Sequence, residues 1–128
     1  MNPMEHPTMK LALDLVAMCR DEKYEEVYTK YYTEESRGVE IFAIDGMDPV
    51  TVVTALKAKA ANWAETCKVV LEVSDPSMVN GDQFIVRMKI ETEKEDGGTK
   101  SDEEYILYTV KDGKVLEEKF FYFLDAVA

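Results

Sequence analysis

Between Tyr24 and Tyr32 the chain carries Tyr24, Val27, Tyr28, Tyr31 and Tyr32 at i, i+3, i+4, i+7 and i+8, the spacing of one helix face. Four of these five positions are phenols. A phenol has an apolar ring and a polar tip, so such a row could line a pocket, touching a ligand through the rings and donating hydrogen bonds or a proton through the hydroxyls. The row equally fits core packing with the hydroxyls reaching the rim. Trp63 carries the same pair of readings, as one wall of a cavity or as packing at the end of a helix. Other reactive groups are scarce. The single histidine, His6, lies in a Pro-flanked N-terminal segment expected to be mobile, which excludes histidine-based triads and histidine-rich metal sites. Cys19 and Cys67 show no C-x-x-C or Cys/His spacing and are expected as small buried apolar side chains. No catalytic motif of any specificity stands in the chain.

The elements that must position these residues follow from periodicity. Thr8 is the expected cap of a first helix reaching about Asp21, with Leu11, Ala12, Leu15, Val16 and Cys19 as its apolar stripe. The tyrosine row predicts a second helix over about Lys23 to Thr33, followed by a polar segment, Glu34 to Gly38, and a short strand, Val39 to Ile44. Asp48-Pro49 predicts the start of a third helix running to about Glu65, with Val53, Leu56, Ala60 and Trp63 on one face. Strands and turns follow. Thr66 to Ser74 alternates as a half-buried strand, and Gln83 to Glu93 places Phe84, Val86, Met88 and Ile90 on one face against Ile85, Arg87, Lys89 and Glu91 on the other. Ser101 to Val110 and Val115 to Phe123 complete a meander through the turn at Lys111-Asp112-Gly113-Lys114. The expected class is α+β, with three helices in the N-terminal half and a curved antiparallel sheet.

Length and charge bound the rest. At 128 residues the chain is expected to be one domain, residues 1–128, able to build one core. Fifteen Lys+Arg against twenty-six Asp+Glu give a formal charge of −11, a field that repels phosphate backbones and anionic lipid surfaces, so neither nucleic acid nor membrane is an expected partner. With no apolar run of the roughly 18–20 residues a span needs, and no cationic patch leading into an apolar stretch at the N-terminus, a cytoplasmic location is the expectation. The aromatics Phe120 to Phe123 fall on both faces of the last strand, so one pair needs cover from outside the core, which predicts a homodimer.

In order and spacing, Tyr31-Tyr32-Thr33-Glu34-Glu35-Ser36 leading to Val39-Glu40, the Ala55 to Lys59 run with Trp63, Asn80-Gly81-Asp82-Gln83-Phe84, and Tyr108 to Lys114 leading to Glu118-Lys119-Phe120-Phe121-Tyr122 resemble the nuclear transport factor 2-like superfamily, most closely its SnoaL-like group. The resemblance spans nearly the whole chain. It implies a cone-shaped, strongly curved sheet wrapped around the helices, a pocket inside the cone, and a dimer through the outer sheet face. Tyr28, Tyr32, Trp63, Met88, Tyr108 and Tyr122 are then the expected pocket residues. The ketosteroid isomerase branch keeps its base directly after a Val-Glu pair on the first strand. Here that place holds Ile41, and Glu40, one residue off, turns to the opposite face. The oxyanion-holding acid of that branch falls at Ile106. SnoaL-like cyclases are acid/base catalysts with a pocket carboxylate; Asp102, Glu103 and Glu104 lie where a strand delivers one, and Glu104 shares a face with Ile106 and Tyr108. Two functions result. One is binding of a small apolar or aromatic molecule. The alternative is a polyketide cyclase or ketosteroid isomerase type of acid/base enzyme without metal or other cofactor, with Glu40 or Glu104 as base and Tyr28 or Tyr32 as proton donor.

Overall fold

The computed structural model describes residues 2, 5–40, 50–52, 67–93 and 96–122, with positions 40, 50–52, 67–71, 92, 93, 100, 102 and 122 given by backbone alone. Helix α1 spans Pro7–Arg20. It begins one residue before the expected place because Pro7 fits the first helical position and His6 is the cap, its Nδ1 accepting from the Thr8 N–H at 3.1 Å. Thr8 is freed from capping, and its hydroxyl donates to Gly81 O at 2.6 Å in the turn before the longest hairpin. His6 is thus a fixed cap and not part of a mobile segment. At the other end Arg20 holds the helix to the sheet, donating from Nε and Nη2 to Val73 O (3.1 and 2.8 Å) and from Nη2 to Asp75 (2.9 Å). The predicted stripe Leu11, Ala12, Leu15, Val16 and Cys19 is buried.

Helix α2 spans Tyr24–Tyr31 and stops there, because Tyr32 is already extended (φ −100°, ψ 151°) and opens strand β1, Tyr32–Glu40. The helix is therefore shorter than expected, and Glu34 to Gly38 is strand where a connecting segment was expected. Its polar side chains at Glu34, Glu35 and Arg37 point to solvent, while Ser36 and Gly38 are buried. An alternation built from small inward residues carries little hydrophobic signal. Strand β2, Val50–Val52, pairs antiparallel with β1, so the expected third helix cannot begin at Pro49; its remaining length, with Trp63, lies outside the described residues.

Strands β3 (Cys67–Val73), β4 (Ser77–Val79), β5 (Gln83–Glu93), β6 (Thr99–Lys111) and β7 (Lys114–Tyr122) complete one sheet in the order β2-β1-β7-β6-β5-β3, with β4 on β5. The sheet is mixed and not antiparallel throughout: β1 runs parallel to β7, its neighbour from the far end of the chain. It is also open and not strongly curled, with two helices among the described residues and not three. The β5–β6 ladder runs from Gln83↔Thr109 to Glu93↔Thr99 without a bulge, whereas the β3–β5, β6–β7 and β1–β7 ladders each carry an irregularity. The core lies between α1, α2 and the face of β5, β6 and β7 that carries Phe84, Val86, Met88, Ile90, Ile106, Tyr108 and Val115. On the outer face Arg87 bridges to Glu72 (2.7 Å) on β3 and Glu103 (3.6 Å) on β6, solvent-screened contacts that contribute little to stability.

Candidate functional site

The site is set by one irregularity in the last hairpin. Asp112 and Gly113, both at positive φ (53° and 74°), make the two-residue turn, and the ladder starts with Lys111↔Lys114 and Val110↔Val115. The next pair is Thr109↔Glu117, so Leu116 is an extra residue on β7. Without it Glu117 would face Tyr108 and Lys119 would fall in the core opposite Ile106. With it, the inward rows across β5, β6 and β7 become Phe84–Tyr108–Glu118 and Val86–Ile106–Phe120, and Lys119 turns out to solvent. The bulge exchanges a buried lysine for a buried glutamate.

Glu118 is 3% exposed, the only buried ionisable carboxylate or cation among the described residues. Its Oε2 accepts a hydrogen bond from the Tyr32 hydroxyl, itself on a residue 7% exposed at the start of β1. Tyr28, one turn back on α2, meets the Tyr32 ring edge-on (centroids 4.6 Å apart, planes at 72°), and Tyr108, opposite Glu118, stacks on Phe84 at 4.7 Å. Three phenols, one thiol and one carboxylate thus share an apolar interior. Burial first, and the Glu118 charge next, push the Tyr28 and Tyr32 phenols well above their ordinary range; Tyr108 is raised likewise, by burial first and then by Cys19 and Glu118. Burial, again with Glu118 second, pushes the Cys19 thiol up to about 12. All four therefore hold their protons at neutral pH. The phenols are donors, and the thiol is inert.

These shifts fix the alkaline behaviour. Because the folded values lie above the ordinary 9.0 of a thiol and 10.0 of a phenol, the unfolded chain releases these protons first. Their contribution to stability is whole below about pH 9 and is lost as pH rises from there. In an alkaline titration the phenolate absorbance of Tyr28, Tyr32 and Tyr108 should emerge together with loss of far-ultraviolet dichroism. Phenolates forming in a still-folded chain would show that solvent reaches the cluster.

The structure distributes the sequence candidates unevenly. Tyr28, Tyr32 and Tyr108 meet in this cluster, and Met88 is buried on the same sheet face. Glu104 faces inward as expected, half-buried and opposite Met88, four residues from Tyr108 along β6, and its charge adds a smaller upward push on the Tyr28 and Tyr108 phenols. Tyr31 is engaged elsewhere: its hydroxyl donates to Asp14, which Lys30 also holds at 2.7 Å, tying α2 to α1. Glu40 is paired by backbone with Phe120 and Tyr122 with Glu104, while both side chains, like Trp63, lie outside the described residues. Sequence reasoning missed Glu118 as a site residue, since counting from the turn points to Glu117. The signal available was the consequence of that count, a lysine at position 119 on the core face.

No match was found among curated proteins. Among solved structures, a protein of Mesorhizobium loti, provisionally described as a SnoaL-like polyketide cyclase [carbohydrate phosphatase], is 31% identical over 88% of this chain and 97% of that one, with a TM-score of 0.72. TerC, co-crystallised with polyporic acid, is 17% identical over 91% and 92% of the two chains (TM-score 0.69), and an NTF2-like protein of Anabaena variabilis is 12% identical over 98% and 96% (TM-score 0.76). Both of the latter share the fold. The sequence profile of the SnoaL-like domain matches residues 7–122, which takes in the two helices and seven strands of the described residues and the Tyr32–Glu118 pair: the chain belongs to the SnoaL-like domain family, of the NTF2-like structural superfamily.

Proposed function

We propose that the chain is a cofactor-independent acid/base catalyst acting on a small, largely apolar molecule with an enolisable carbonyl, with Glu118 as the base. The observation that supports this is a carboxylate buried in the core and held by a phenol. Withdrawing a charge from water costs several kcal/mol, and a carboxylate kept in an apolar interior against that cost, beside a specific partner, is a candidate working residue on physical grounds. Glu118 takes the proton from the carbon beside the carbonyl, and the electron pair moves onto the carbonyl oxygen. Tyr28, kept protonated by its burial, donates a hydrogen bond to that oxygen; the proton on Glu118 exchanges with solvent, and Glu118 then delivers one to the same carbon, or in an enone to the far end of the conjugated system, as the electron pair returns. Tyr32 fixes the carboxylate. The test is solvent deuterium incorporation into a panel of aromatic enones, 1,3-diketones and hydroxyquinones, with polyporic acid included as a binding probe. Exchange by the wild-type chain at least tenfold above buffer supports the reading. Stabilisation of the fold by these molecules without exchange would instead make the protein a binder of small aromatic molecules.

We further propose that two copies pair through the outer sheet face. Ile85 and Leu107 are cross-strand partners there, as are Tyr105 and Phe121, and all four are half-buried. Arg87, Glu103, Glu117 and Lys119 surround them with both signs of charge, which suits a face meeting its own copy. Sedimentation should give a dimer that Phe121→Glu converts to monomer. A monomeric wild-type chain would end this proposal.

A further inference from the structure

The Tyr32–Glu118 pair joins residues 86 positions apart, on parallel neighbours that no turn connects. Something other than hairpin geometry must set their register. The β1–β7 ladder pairs Tyr32 with Val115 and resumes with Arg37↔Glu117 and Gly38↔Glu118, so β1 advances five residues while β7 advances two. The surplus lies at Thr33 to Ser36. On β7 the same interval holds Leu116, the extra residue of the ladder with β6. Two irregularities on different strands therefore meet at Val115, which is fully buried and serves as partner to both Tyr32 and Val110.

One side chain closes this junction. Ser36, also fully buried, accepts from the Thr33 N–H at 2.9 Å and donates its own hydrogen to Val115 O. Its hydroxyl thus spans the β1 bulge from end to end and fixes it to the residue from which both registers start. In the absence of that hydroxyl the surplus in β1 has no fixed place. A slip of one residue would carry the Tyr32 side chain to the other face of the sheet, away from Glu118.

We infer that Ser36 is a positioning residue for the acid/base pair: by closing the β1 bulge onto Val115 it sets the register that brings the Tyr32 hydroxyl to Glu118. This rests on the proton-transfer reading of Glu118, and the two can fail separately. A phenol hydrogen-bonded to a carboxylate in a dry interior should give a far-downfield hydroxyl proton resonance in slow exchange with water. Tyr32→Phe assigns it by deleting it.

In Ser36→Ala, recorded well below its unfolding temperature, that resonance should disappear while the amide dispersion of a folded sheet persists. Ser36→Thr keeps the hydroxyl and should keep the resonance, though the added methyl lowers stability. Deuterium incorporation into a probe ketone should fall in Ser36→Ala and recover in Ser36→Thr, an outcome that lost packing alone would not give. Where Ser36→Ala does not fold, the wild-type chain suffices. The Thr33 amide, on an otherwise exposed residue, should be protected from exchange, and its protection should be lost together with that of the Tyr32 hydroxyl as denaturant or temperature is raised, because one closure protects both. A folded Ser36→Ala chain with the resonance unmoved, or a freely exchanging Thr33 amide beside a protected Tyr32 hydroxyl, would overturn the inference and leave the Glu118 assignment standing. Absence of the resonance from the wild-type chain would remove the pair itself.

Discussion

Glu118→Gln should lower proton transfer to a probe ketone by about 10²–10⁴-fold, the usual contribution of a positioned acid/base group, while leaving the fold at least as stable as before. The amide is nearly isosteric with the carboxylate, and its oxygen can still accept from Tyr32, so packing is preserved. What is lost is the charge. Holding an ionised carboxylate at 3% exposure is unfavourable relative to a neutral group of the same shape. Removing it should contribute about 1 kcal/mol of stability, roughly 3–5 °C in unfolding temperature for a chain of this size. Loss of activity with gain in stability marks a residue kept for function. A variant that melts lower and retains exchange would mean that Glu118 serves the fold.

Tyr32→Phe should act in the opposite sense on stability. The ring, with its edge-on contact to Tyr28, remains, but the carboxylate loses a hydrogen bond inside the core. Hydrogen bonds to charged groups contribute about 1.5–3 kcal/mol, so a loss of about 2 kcal/mol is expected in denaturant unfolding. The double variant isolates the interaction. In a Glu118→Gln background the partner is neutral, and Tyr32→Phe should cost about 1 kcal/mol or less, leaving a coupling of about 1 kcal/mol or more between the two positions. Additive effects would show that the two side chains do not meet.

Much of this arrangement is legible in the sequence because local periodicity carries it. The α1 stripe, the alternation of β5 and the shared inward face of Glu104, Ile106 and Tyr108 all stand where counting residues puts them. Each lies within one element or across one short turn. What escaped depends on pairings that have no local signature. The cap at His6 needs the observation that Pro7 opens the helix, and β1 hides its strand character behind Glu34, Glu35 and Arg37. The parallel partnership of β1 with β7 joins the two ends of the fold with no turn to announce it. Glu118 is the instructive case. A single inserted residue, Leu116, reverses the facing of everything after it on β7, so strict alternation from the turn at Asp112-Gly113 points to the wrong glutamate.

That reversal can be measured directly. Nuclear Overhauser contacts from the ring protons of Tyr108 and Tyr32 to the side-chain methylenes of β7 distinguish the two registers, since neighbouring residues on a strand point to opposite faces. Strong contacts from both rings to Glu118, and none to Glu117, are the expected result. Contacts to Glu117, with Lys119 shielded from water, would place a different residue beside the phenols and contradict the acid/base site built on Glu118.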